Sequence, residues 1–221
     1  MNCALNQQFY FKTFLIALLS FLLLFSISCG ETPAEPEVAE VSEDFTESVP
    51  TATGNPATDL TDAYYRGTLS LTSHSANATS GVTKEELEND ITSRGDMRFL
   101  LNITNNNLKW ASYYSNDVWS STDEEVSTYL EYDLRNSLEY QVLKSGSKYS
   151  VNKVYDERSN YGYIEKFYIE FTISGDSISI TYIYGISTDV VDDVDGINYK
   201  YSYKTTYEGT LTNYTPTSSG F

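Results

Sequence analysis

Residues 163–173 read Tyr-Ile-Glu-Lys-Phe-Tyr-Ile-Glu-Phe-Thr-Ile, and residues 177–184 read Ser-Ile-Ser-Ile-Thr-Tyr-Ile-Tyr, with Ser174-Gly175-Asp176 between them. Large apolar residues recur at every second position. Phe167, Ile169, Phe171 and Ile173 form one set; Ile178, Ile180, Tyr182 and Tyr184 form the other. A period of two puts each set on one face of an extended strand. Two such runs around a short glycine-containing loop predict a β-hairpin. The same pattern repeats outward. Residues 97–103 and 108–114 flank Thr104-Asn105-Asn106-Asn107, and asparagine tolerates the positive φ that tight turns require. Residues 138–144 and 149–155 flank Ser145-Gly146-Ser147. Residues 64–72, with Leu69 and Leu71 in alternation, open the series. Residues 197–213, with Tyr199, Tyr201 and Tyr203 on one side, close it. The expectation is eight strands joined mainly by tight turns.

Two helices interrupt them. Thr83 followed by Glu86 is a capping box, with Leu87 and Ile91 on one side. Thr122 and Glu125 repeat it, and Val126, Leu130, Leu134 and Leu138 follow at i+4 spacing, which predicts a helix over 123–135. An antiparallel chain of this kind closes its exposed edges best as an up-and-down barrel. An open β-sandwich, or a sheet packed on the second helix, is the alternative. The first and last strands share a pattern, Tyr65-Arg66-Gly67-Thr68-Leu69-Ser70 against Tyr207-Glu208-Gly209-Thr210-Leu211-Thr212. Strand glycines mark bends or close approaches. The repeat predicts two bends side by side, with Arg66 facing Glu208. In strand number and order the layout resembles the lipocalin-like, or calycin, barrels. The Gly-x-Trp motif of that family has no counterpart at the first strand, since Trp110 and Trp119 fall later. The resemblance is one of architecture.

The N-terminus reads differently. Lys12 precedes roughly 15 apolar positions ending near Ile27, short of the ~20 that span a bilayer and in the range of a secretory signal core. Ser26-Ile27-Ser28-Cys29 resembles the lipobox of bacterial lipoproteins, in which cleavage before the cysteine frees it for lipidation; Ser26 departs from the usual leucine. The resemblance implies a signal peptide over 1–28 and a lipid anchor at Cys29. It also implies membrane attachment in a bacterial cell envelope, at the outer membrane, facing either the periplasm or the outside. Cys3 leaves with the signal, so no disulfide remains. Residues 29–62 hold nine acidic side chains, no basic one and four of the five prolines. That composition predicts a disordered, self-repelling tether. Residues 63–221 then form the β-domain.

The formal net charge of −17 excludes nucleic acid as a partner, because phosphate binding needs a surplus of Lys and Arg. Asp189, Asp192, Asp193 and Asp195 precede Gly196 and form a candidate Ca²⁺ loop. On the EF-hand template, however, Val191 and Ser202 fall where carboxylates are required. Gly175-Asp176-Ser177-Ile178 echoes the Gly-Asp-Ser-Leu esterases, but the only histidine, His74, precedes the serine instead of following it. His74, between two serines, reads as an exposed loop residue. No catalytic constellation emerges. The expected function is therefore non-enzymatic: an envelope lipoprotein whose Tyr-rich domain binds a small ligand or glycan. The alternative is a structural or protein-interaction lipoprotein with a filled core. Ligand cavities start at roughly 300 Å³, and a smaller volume speaks for the filled core.

Overall fold

A computed structural model describes residues 43–116, 123–191 and 196–216. The signal segment, Cys29, Trp119, Thr122 and Asp192, Asp193 and Asp195 lie outside the described residues. Ten strands and three helices follow a 3₁₀ turn at Phe45–Ser48. In chain order they are β1 (Asn55–Pro56), β2 (Ala63–Ser80), α1 (Lys84–Ser93), β3 (Met97–Thr104), β4 (Asn107–Tyr114), α2 (Asp123–Asn136), β5 (Tyr140–Gln141), β6 (Leu143–Ser145), β7 (Lys148–Asp156), α3 (Arg158–Tyr161), β8 (Tyr163–Ser174), β9 (Ser177–Val191) and β10 (Asn198–Tyr214).

All pairings are antiparallel, in the order β1-β6-β7-β8-β9-β10-β2-β3-β4-β5. The result is a nearly closed barrel. The first long strand pairs with the last, β2 with β10. The ladder's two other ends meet at Val142. This residue separates β5 from β6, donates its amide to Asn106 O (3.2 Å) and accepts the Ala57 amide (2.8 Å). The strand count is ten, not eight. The expected strand over 138–144 is broken at Val142, and β1 adds a two-residue rung on β6. On β4, β5 covers only Asn107 and Leu108, and on β7, β6 covers only Lys148–Ser150. Past those rungs, no strand among the described residues joins the facing edges of β4 and β7. This gap is the seam.

The period-two faces fill the interior. Phe99, Leu101, Ile103, Leu108, Val151, Ile169, Phe171, Ile178, Ile180, Tyr182 and Tyr207 form one buried cluster. Each large side chain removed from water contributes roughly 1.5–3 kcal/mol. The Asn105-Asn106 turn has both φ values positive, at 51° and 60°, as the hairpin reading requires. The capping box at Thr83 is formed in both directions, and Leu87 and Ile91 of α1 pack with Ala76 and Tyr203. α2 packs Leu130 and Leu134 on Leu100 and Ala111, a separate cluster from the interior. Leu138, expected on its stripe, lies beyond the helix end and is exposed.

Arg66 does not face Glu208. Antiparallel pairing reverses the shared pattern about the Thr68–Thr210 rung, so Arg66 lies opposite Thr212 and Glu208 opposite Ser70. Gly67 instead faces Leu211, and Gly209 faces Leu69. The glycines mark close approach between strands.

The tether reading also ends earlier than composition implies. Residues 43–62 form a strap along the barrel. The Phe45 amide donates to Ser202 Oγ (2.9 Å), and the Ala52 amide to Asn152 Oδ1 (3.2 Å). Val49 and Ala52 cover Tyr168. The Leu60 amide donates to Asn106 Oδ1 (3.0 Å), and Ala57 and Leu60 join the interior cluster. These remote partners order a segment whose composition alone would leave it unfolded. Asp59 pairs with Lys144 and accepts the Tyr149 hydroxyl (3.2 Å). The Lys144 hydrogen bond holds the Asp59 carboxyl below its ordinary 3.8. A depressed carboxyl stabilises fully above its unfolded pKa and loses that contribution as pH falls through the folded one. Amide exchange at Ala57 and Leu60 is therefore expected to accelerate below pH 4 before the barrel opens. Asp59→Asn should remove that pH step. A step that persists in the variant counts against this latch.

Candidate functional site

The seam forms a cleft of about 220 Å³ lined by Trp110, Ser137, Leu138, Tyr140, Lys153, Tyr155 and Phe167. Its walls follow from strand alternation. Tyr149, Val151, Lys153 and Tyr155 share one face of β7, and Phe167 continues the inward face of β8 past Ile169. β4 supplies Trp110. The chain leaving α2 supplies Ser137, whose hydroxyl donates to Trp110 O (2.9 Å) and Asp133 O (2.9 Å). A Lys109–Glu139 ion pair (3.3 Å) fastens the same connection to β4.

The rings form a continuous wall. Trp110 lies 5.0 Å from Tyr140 and 6.4 Å from Phe167, centroid to centroid. Tyr155 meets Phe167 edge-on at 6.0 Å. The Lys153 ammonium lies 3.3 Å from the Tyr155 ring centre and 5.2 Å from that of Tyr140. Burial lowers the pKa of Lys153, opposed by the charge of Glu165. The Tyr140 hydroxyl is buried without a hydrogen-bond partner, and burial raises its pKa. Behind the cleft, Tyr184 donates to Glu165 (2.9 Å). Arg94 stacks over Tyr114 and Tyr203 and donates to the Tyr203 hydroxyl (3.2 Å).

Two other clefts are described, at about 260 Å³ over Glu170, Thr181 and Glu208 and about 100 Å³ around Asp189 and Lys200. All three volumes fall below the ~300 Å³ expected of a ligand pocket. The interior is packed with side chains.

Of the candidate Ca²⁺ ligands, only Asp189 lies in the described residues. Its carboxylate accepts from Lys200 (2.9 Å) across the β9–β10 rung, a hydrogen bond that lowers its pKa. Among the described residues no group of three or more His, Cys, Asp or Glu could hold a metal. His74 is a half-buried residue inside β2, opposite Thr205, and not in a loop. Ser177 is the first residue of β9, and its hydroxyl donates back across the β8–β9 turn to Ser174 O (3.1 Å). Sequence reading passed over Lys153, although its signal was present: a lysine on the apolar side of a period-two run.

The fold is an all-β, nearly closed antiparallel barrel, consistent with the lipocalin-like architecture. No protein-family model, curated protein or solved structure matches the chain. Among the described residues no helix is long and apolar enough to cross a membrane.

Proposed function

We propose that the chain is an envelope lipoprotein, anchored through a lipidated Cys29, whose barrel recognises a single ring-shaped ligand or glycan end at the seam. The observation that supports this reading is the aromatic wall of Trp110, Tyr140, Tyr155 and Phe167, open at one side and with a charged group inside it. Such walls stack on the apolar faces of sugars and flat rings. The filled interior argues for recognition at the rim and against carriage inside the barrel. It also favours the second reading, a protein-interaction lipoprotein with Leu138 (62% exposed) and Val154 (50% exposed) in the contact.

Trp110 reports on the cleft directly. In a Trp119→Phe background it is the sole indole. Titration with mono- and disaccharides is expected to give a saturable change in its emission, abolished by Tyr155→Ala. Silence across the panel favours the protein-contact reading. Mass spectrometry of the mature N-terminus is expected to find an acylated Cys29; an intact Met1 or unmodified Cys29 removes the anchor.

A further inference from the structure

We infer that the seam cleft takes a ring carrying a carboxylate, with Lys153 as the residue that pairs the acid. The inference rests on the ligand-binding reading above and names its ligand class.

The polarity of the lining carries the argument. Lys153 supplies up to three N–H donors and no acceptor. The Tyr140 hydroxyl is buried and unpaired. Ser137 already spends its donor on two backbone carbonyls. None of the lining residues is an Asp, Glu, Asn or Gln. A neutral sugar presents hydroxyls that must donate as well as accept, and a site built for one needs acceptors. The hydroxyls of Ser137, Tyr140 and Tyr155 are the only side-chain acceptors of this lining, and its one charged group is a donor, which suits a ligand carrying a negative charge.

Charge points the same way. Among the described residues no carboxylate forms an ion pair with Lys153. The nearby acids are otherwise engaged: Glu139 with Lys109 and Glu165 with the Tyr184 hydroxyl. The ammonium is held over ring faces, with Glu165 acting on it only through its charge, in a chain with a 31 to 14 excess of acidic over basic residues. A lysine on the inward side of an apolar strand face loses hydration, and ring faces return only part of it. An incoming carboxylate would return the rest. The volume restricts the ligand to about one six-membered ring, and the open side lets a longer chain trail out past Leu138. A sugar acid at the end of a glycan and a free aromatic acid share this chemistry.

The test uses the full chain with Trp119→Phe and reads Trp110 emission. D-glucuronate is compared with D-glucose, and benzoate with benzyl alcohol. Each acid is expected to bind about tenfold tighter than its neutral partner. Lys153→Met should erase that preference, and Lys153→Arg should keep it. Melting curves confirm that both variants fold. The stronger acid of the two identifies the source. Equal binding of acids and neutral partners, or a preference that survives Lys153→Met, overturns this inference alone. A Trp110 signal silent to all four probes overturns the cleft reading with it.

Discussion

Gly209→Ala is expected to lower the free energy of unfolding by about 2–3 kcal/mol, the upper part of the range for overpacking a filled core. An added Cβ would sit 2.6 Å from the Thr68 carbonyl oxygen and 2.9 Å from Leu69 Cδ2. One obstacle is backbone, held on both sides by the β10–β2 and β2–β3 ladders, so it cannot move aside cheaply. The other is a side chain with no exposure to solvent. Removing a glycine from a strand ordinarily gains about 0.4–1 kcal/mol by restricting the unfolded chain. Here the clash is larger and sets the sign. Gly67→Ala should behave alike, because its Cβ would meet Thr210 O at 2.7 Å and Leu211 Cδ2 at 2.9 Å. Each glycine is the slot for the other strand's leucine. The two substitutions flank the same Thr68–Thr210 rung, so their costs should not add. Urea denaturation of both single variants and the double reads this out. An unchanged or raised midpoint for Gly209→Ala would refute the slot argument.

The second large effect is alkaline unfolding with a sharp onset above pH 10. Burial raises the phenol pKa of Tyr182, Tyr184, Tyr207 and Tyr113, and pushes Tyr168 up to about 12. A phenol whose folded pKa is raised stabilises fully below its unfolded value of ~10 and loses that contribution as pH climbs through the folded value. Several such groups titrating together all act in the same direction, against a native state that is only marginally stable. Phenolate absorbance near 295 nm should therefore rise cooperatively with loss of β-sheet circular dichroism. Gradual ionisation of these phenols with the sheet intact at pH 12 is the contrary result. The same residues predict little change in stability between pH 7 and pH 9.

Most of the strand pattern was legible because a period of two is a local signal. Phe167, Ile169 and Phe171 needed no partner to declare their face, and Thr83 and Glu86 declared a helix start. What was not legible depended on partners far along the chain. The strap lacks apolar periodicity, and its order comes from Ser202, Asn152 and Asn106, which lie 157, 100 and 46 residues away. The break at Val142 is equally non-local, since β4 and β7 compete for one short run. The shared Gly-Thr-Leu pattern predicted that β2 and β10 meet, but direction decided which residues face each other. The cleft is a property of the gap left by that broken strand, so its rings could be counted in sequence without being assembled into a wall.

The strap determines how the domain answers force. A pull on the chain upstream of Glu43 does not reach β2 first. It reaches the Phe45–Ser202 contact, then Ala52, then the two-residue rung of β1 on β6. These few bonds are loaded one after another, as in peeling. β2, held by β10 along one edge and by β3 along the other, comes under load only after the strap has detached. Twenty residues then extend to a reach of at most about 65–70 Å. The strap would act as a mechanical fuse, yielding to a pull on the upstream chain while most of the barrel ladder stays paired.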